Sequence, residues 1–250
     1  MRRAFCHFIF PVLVVCSLQA LEAQDQISPK KTVTLPGFET EMSPAQKAVR
    51  SLIQKGASEE RTGDHNSAIR TFQDALQKLR SVPEMKGDED SVLLRLGRAY
   101  IGAHRLEDAV TTFSLLLGPS ADDCRSGVAA VEYCADAQYY TGFANMQKGN
   151  FGAAVPFLKK SMANYARAGS GSESVEYQMI QLKQQAETES MLAAALLRTG
   201  RKQDAINSLN HAISQLSTVE GNEEIQDAIR ASARKSLQDA QKALDLATKN

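Results

Sequence analysis

Leu93-Leu94-Arg95-Leu96-Gly97-Arg98-Ala99-Tyr100, followed by Ala109-Val110-Thr111-Thr112-Phe113, is the stretch on which the fold turns. It sets a Gly, eleven residues, an Ala, three residues and a Phe. The same spacing returns along the chain. Gly56 leads to Ala68 and Phe72, and Gly142 leads to Ala154 and Leu158. A variant replaces the Gly by Ala193 and continues to Ala205 and Leu209. A second Gly stands five residues before the Ala at Gly63, Gly149 and Gly200, and His104 takes that place in the second unit. A fixed internal period of this kind is the mark of a stacked repeat architecture.

The spacing has a physical reading. Each unit is two antiparallel helices, A then B. The small residues on helix A and the Ala on helix B let the two backbones approach closely. Phe72, Phe113, Leu158 and Leu209 fill the gap to the next unit. The Gly-x pairs Gly63-Asp64, Gly149-Asn150 and Gly200-Arg201 suit a left-handed helix cap followed by a new helix.

Taken together, these residues resemble the tetratricopeptide repeat (TPR), with its Leu-Gly-x2-Tyr and Ala-x3-Phe elements. Leu96-Gly97 and Tyr100 match the first element, with Leu93 where the family has Trp. The resemblance covers about residues 44–216 and implies an all-α, right-handed α-solenoid of about four helix pairs. There are departures. The aligned alanines lie 41, 45 and 51 residues apart, against the family's roughly 34. The excess is expected partly in loops at 81–90, 118–127 and 168–174, and partly in longer helices such as 174–199. Pro156, six places into its helix, should remove one hydrogen bond and bend it.

The ends read as a leader and a cap. Ser43-Pro44-Ala45-Gln46 carries an N-cap Ser, Pro at the first helical position and Gln three after the Ser. Asn222 is expected to cap a final helix from Glu223 to about Thr248. Its stripe of Ile225, Ile229, Ala233, Leu237, Ala240 and Leu244 suits one buried face and one wet face. The chain thus divides into 1–23, a 24–43 flexible leader, the 44–221 array and a 222–250 capping helix.

Residues 1–23 read as a secretory signal: Arg2 and Arg3, an apolar run from Phe8 to Leu18, then Leu21-Glu22-Ala23. Cleavage is expected after Ala23, with Ala20 second. The run is too short for a bilayer span, which needs about 20 residues, so no transmembrane segment is expected after cleavage. Leu13-Val14-Val15-Cys16 has a lipobox outline, but the β-branched Val15 disfavours a lipid anchor at Cys16. An exported protein, periplasmic or secreted, is the expectation.

The full chain has 250 residues with 29 basic and 29 acidic groups. That balance argues against a nucleic-acid partner, which favours a basic face. Two cysteines, Cys124 and Cys134, remain after cleavage. On one continuous helix they would lie about 15 Å apart, whereas a disulfide needs about 7 Å or less. A bond therefore needs Cys124 in a loop that folds back, and the alternative is two thiols. There is no HExxH, GxSxG, P-loop or GxGxxG, and His65, His104 and His211 are scattered over separate units. No catalytic residues, metal site or cofactor are expected. The acidic runs Asp88-Glu89-Asp90 and Asp122-Asp123 are read as helix caps and dipole partners.

In the family, helix-A places two, five, nine and twelve face the concave groove. That register puts Arg50 and Ile53 there in the first unit, and Leu94, Arg98 and Ile101 in the second. The third supplies Tyr139, Phe143 and Met146, and the fourth Ser190 and Leu197. The resemblance implies a non-catalytic scaffold binding a protein or peptide through this floor, with cell-envelope assembly or secretion as the setting. A homo-oligomer, or a ligand-binding or enzymatic helical array, are the competing readings. Alternatively, Tyr139, Phe143 and Met146 pack internally.

Overall fold

The computed structural model describes residues 42–117 and 131–249. Among the described residues there are nine α-helices and one 3-10 helix. The first pair is α1 (Pro44–Arg61) and α2 (His65–Leu79). The second is α3 (Glu89–Gly102) and α4 (Leu106–Ser114). The third is α5 (Val131–Gln147) and α6 (Phe151–Ser170). The fourth is α7 (Val175–Arg198) and α8 (Lys202–Glu220), and α9 (Asp227–Lys249) follows. Each helix packs chiefly on its neighbours in sequence, and successive A helices also touch. The fold is an all-α, TPR-like solenoid.

The repeated small residues act at the helix crossings. A Cβ placed on Gly97 would lie 2.3 Å from the Phe113 ring, and one on Gly56 would lie 2.7 Å from that of Phe72. One on Gly142 would meet Leu158 at 2.7 Å. Each ring or Leu therefore occupies the volume that the missing side chain vacates. Phe72, Phe113, Leu158 and Leu209 are all essentially inaccessible to solvent.

The turns follow the same rule. Gly63, Gly149 and Gly200 have φ of 79°, 79° and 81°, and His104 is held at φ 57°. A side chain in the left-handed region costs roughly 1–2 kcal/mol. His104 is exposed, so this cost brings no packing in return. His104→Gly is therefore expected to raise stability by about 1 kcal/mol, seen as a melting midpoint about 2–4 °C higher. A midpoint that falls would show that the His side chain earns its place.

Helix ends agree with expectation at the front and depart at the back. Ser43 Oγ accepts from Gln46 N–H at 3.2 Å, while Ser43 N–H donates to Gln46 Oε1 at 2.8 Å, a complete capping box. Ser174 caps α7 by accepting from Tyr177 N–H. The last helix begins at Asp227, four residues later than expected. Asn222 instead closes a local turn, its Oδ1 accepting from Glu224 N–H at 2.9 Å. Ile225 is buried from that turn, and the stripe runs on through Ala243 and Ala247. Asp88 makes no side-chain cap to α3. The 81–90 connection is not simply a loop, because Pro83–Asp88 forms the 3-10 helix and buries Met85. α6 runs unbroken past Pro156, whose ring is exposed. The acidic pair Asp122-Asp123 and the 118–127 loop lie outside the described residues. So do the proposed signal, Cys16 and nearly all of the leader.

The extra length has a use. α7 and α8 run on beyond the unit contacts and build a second core with α9. It contains Ala186, Leu216, Val219, Ile229, Ala233 and Leu237. α9 packs on α8 and also touches α7, as the A helix of a further unit would. No described helix is long and apolar enough to cross a membrane.

Candidate functional site

The A helices bring most of the expected floor residues together, and they bury them. Leu94, Arg98, Ile101, Tyr139, Phe143 and Met146 are each less than a tenth exposed. Arg50 is exposed, and Ile53, Ser190 and Leu197 are half-buried. Only the two ends of the expected floor therefore offer side chains that a partner reaches directly.

A line of polar contacts crosses the successive A helices. Glu60 of α1 is buried and meets Arg98 of α3, with Nε 3.1 Å from Oε1. Arg95 Nη1 approaches the other Glu60 oxygen at 3.8 Å. The Arg98 guanidinium lies 5.9 Å from the centroid of Tyr140 on α5. That ring stacks on Phe113 at 5.6 Å and meets Tyr139 edge-on at 5.1 Å. On α7, Glu187 pairs with Lys183 at 2.9 Å and accepts from Ser236 Oγ of α9 at 2.6 Å. Contacts thus pass from α1 through α3 to α5, and from α7 to α9.

Several perturbed groups lie on the third pair. Asp136 of α5 accepts a short hydrogen bond from the Tyr165 hydroxyl of α6. Burial pushes its carboxyl up to about 6, against the pull of Tyr165 and Arg98 and with help from nearby Glu132. Glu132 accepts from the Tyr177 hydroxyl of α7 at 3.0 Å. Burial and Glu132 raise Tyr177, and burial with the neighbouring rings and carboxylates raises Tyr139 and Tyr165 well above the usual phenol range. Gln138 accepts from Asn164 Nδ2 at 2.8 Å. Cys134 beside it is fully buried and disulfide-bonded, and the chain's other cysteines lie outside the described residues.

The histidines have separate settings. His65 opens α2 and packs its ring where a Gly102 side chain would stand. Burial, with a smaller contribution from His104, holds its imidazole below the usual range. His211 Nδ1 lies 2.6 Å from Glu189 Oε2 across the α7–α8 crossing, and burial raises the Glu189 carboxyl despite it. No group of three or more metal-ligating side chains comes together among the described residues.

These features define an all-α helical-repeat protein in which an inner polar line stitches the A helices. No protein-family model matches the chain, and no curated protein does. Among solved structures, BtubC (BKLC) from P. vanneervenii aligns with a TM-score of 0.58 at 16% identity, over 97% of this chain and 90% of that one. That likeness is one of fold alone. MamA aligns at a TM-score of 0.43 and 19% identity, over 78% of this chain and 97% of that one.

Proposed function

We propose that this chain is an exported, non-catalytic scaffold of the TPR type that binds a protein or peptide along the inner face of its A helices. The observation that carries this reading is the continuity of that face, with helix pairs stacked in sequence and side chains of α1, α3 and α5 in mutual contact. Repeat stacks of this kind present extended binding surfaces. Arg side chains often carry interface energy, and Arg50 at one end of this face is exposed. Cell-envelope assembly or secretion is the proposed setting, supported by the signal-like N-terminus.

The test must use reachable positions, because reversing the charge of Arg98 or placing one at Phe143 would damage the core first. Arg50→Glu with Ser190→Glu changes both ends of the inner face. We expect the mature chain to retain a specific envelope protein in crosslinking pull-downs, and the double variant to lose it at least tenfold. Lys159→Glu, on the exposed side of α6, should retain it. Equal loss in both variants, or loss in neither, would reject the inner face as the docking surface.

A further inference from the structure

Charge is unevenly placed along the stack. α1 exposes Lys47, Arg50, Lys55 and Arg61. At 3.6 residues per turn these four fall within about 140° of arc, so they share one face. The two carboxylates of α1 do not balance them. Glu60 is buried against Arg98, and half-buried Glu59 reaches Lys55 only at 3.7 Å. Lys47, Arg50 and Arg61 make no ion pair among the described residues.

The opposite sign gathers at the far end, around the turns that open α7 and α9. Glu173 and Glu176 lie at the first, and Glu220, Glu223, Glu224 and Asp227 at the second. Gln226 Nε2 donates to Glu176 Oε1 at 3.0 Å, which ties the two turns together. Arg234 pairs with Glu220, and Arg230 with Asp227. Glu173, Glu223 and Glu224 are exposed and make no ion pair among the described residues. An exposed apolar side chain borders each patch: Met42 just before the cap of α1, and Val175 between Glu173 and Glu176. α1 packs on α2 and touches α3, whereas α9 packs on α8 and touches α7. The two patches therefore lie at opposite ends of the stack and can meet only between copies.

We propose that the basic face of α1 docks on the acidic turns of a second copy. Two copies laid antiparallel make this contact twice, α1 of each on the turns of the other. Such an arrangement is isologous and closed, so assembly stops at a dimer. The full chain carries 29 basic and 29 acidic groups, so no net charge keeps the copies apart. Exposed ion pairs are individually weak and screened by salt, which makes the dimer salt-sensitive. This goes beyond the inner-face binding proposed above and does not depend on it.

Light scattering and sedimentation of the mature chain should give twice the chain mass at about 20 mM salt and the single mass by about 500 mM. Lys47→Glu with Arg61→Glu should weaken the dimer at least about tenfold at low salt, and Glu223→Lys with Glu224→Lys should do the same. Mixing the two variants is the decisive arm. Each variant alone sets like charges together at both contacts, whereas a mixed pair sets opposite charges together at both, so the mixture should dimerise. These variants spare Arg50 and Ser190, so the inner-face reading and this one fail separately. A monomer at low salt, a dimer that survives salt and both reversals, a mixture that stays monomeric, or an open-ended polymer would each overturn the proposal. Should a variant fail to fold, carbodiimide crosslinking of the wild-type chain decides. Amide bonds joining Lys47 or Lys55 to Glu223 or Glu224 support the dimer, and their absence at low salt overturns it.

Discussion

Gly97→Ala should destabilise the chain, and adding Phe113→Leu should recover most of the loss. The added methyl would sit 2.3 Å from the Phe113 ring, where real side chains do not go. The ring is fully buried between α3 and α4 and stacks on Tyr140, so it has no empty volume to move into. Overpacking of this kind costs about 1–3 kcal/mol, offset by the roughly 1 kcal/mol that Ala gains over Gly inside a helix. A net loss of about 1 kcal/mol is expected. Phe113→Ala should cost more, about 3–5 kcal/mol, because it empties a sealed site. The fourth pair already shows the compensated combination, with Ala193 facing Leu209, both buried. Gly97→Ala with Phe113→Leu copies that pair and should lose less than the two single changes summed. A double-mutant cycle by urea denaturation measures the coupling, expected at about 1 kcal/mol or more. Strict additivity would show that the Gly and the ring do not share one volume.

That crossing was legible in the sequence because it is local and repeated. Gly97 to Phe113 spans one hairpin of helices, so a fixed spacing reports a fixed contact. The turn at His104 was legible for the same reason, as the one unit without the second Gly. Leu94, Arg98, Tyr139 and Phe143, expected on a groove floor, are instead buried. Their burial could not be read. It depends on how tightly successive pairs close, which no single helix encodes. Glu60, Asp136 and Glu187 were missed, though the same register finds them. Glu60 stands at place twelve of α1, and Asp136 and Glu187 stand at place two of α5 and α7. A carboxylate at one of these register places on three of the four A helices was the available signal. The start of α9 was misplaced because Asn222 is equally suited to a helix cap and to a turn, and the turn lets Ile225 reach the core.

Glu60→Ala should then be among the most damaging single changes at a charged position. The carboxylate and the Arg98 guanidinium are both less than a tenth exposed. Removing one partner of a buried pair leaves the other charge poorly compensated, at a cost of about 3–5 kcal/mol. Here Arg98 keeps the face of Tyr140, and half-buried Arg95 can turn to water, so about 3 kcal/mol is expected. Glu60→Ala also removes a buried polar tie between the first two pairs, so the loss should concentrate at the N-terminal end. Amide exchange should speed up most in α1 and α2 and least in α8 and α9, whose second core is separate. Replacing both groups by apolar ones, Glu60→Leu with Arg98→Met, removes the buried charge altogether and should cost much less than Glu60→Ala alone. If the double replacement costs as much as the sum of its singles, the pair holds no shared energy. The inner polar line would then be a row of independent contacts instead of a stitch between helix pairs.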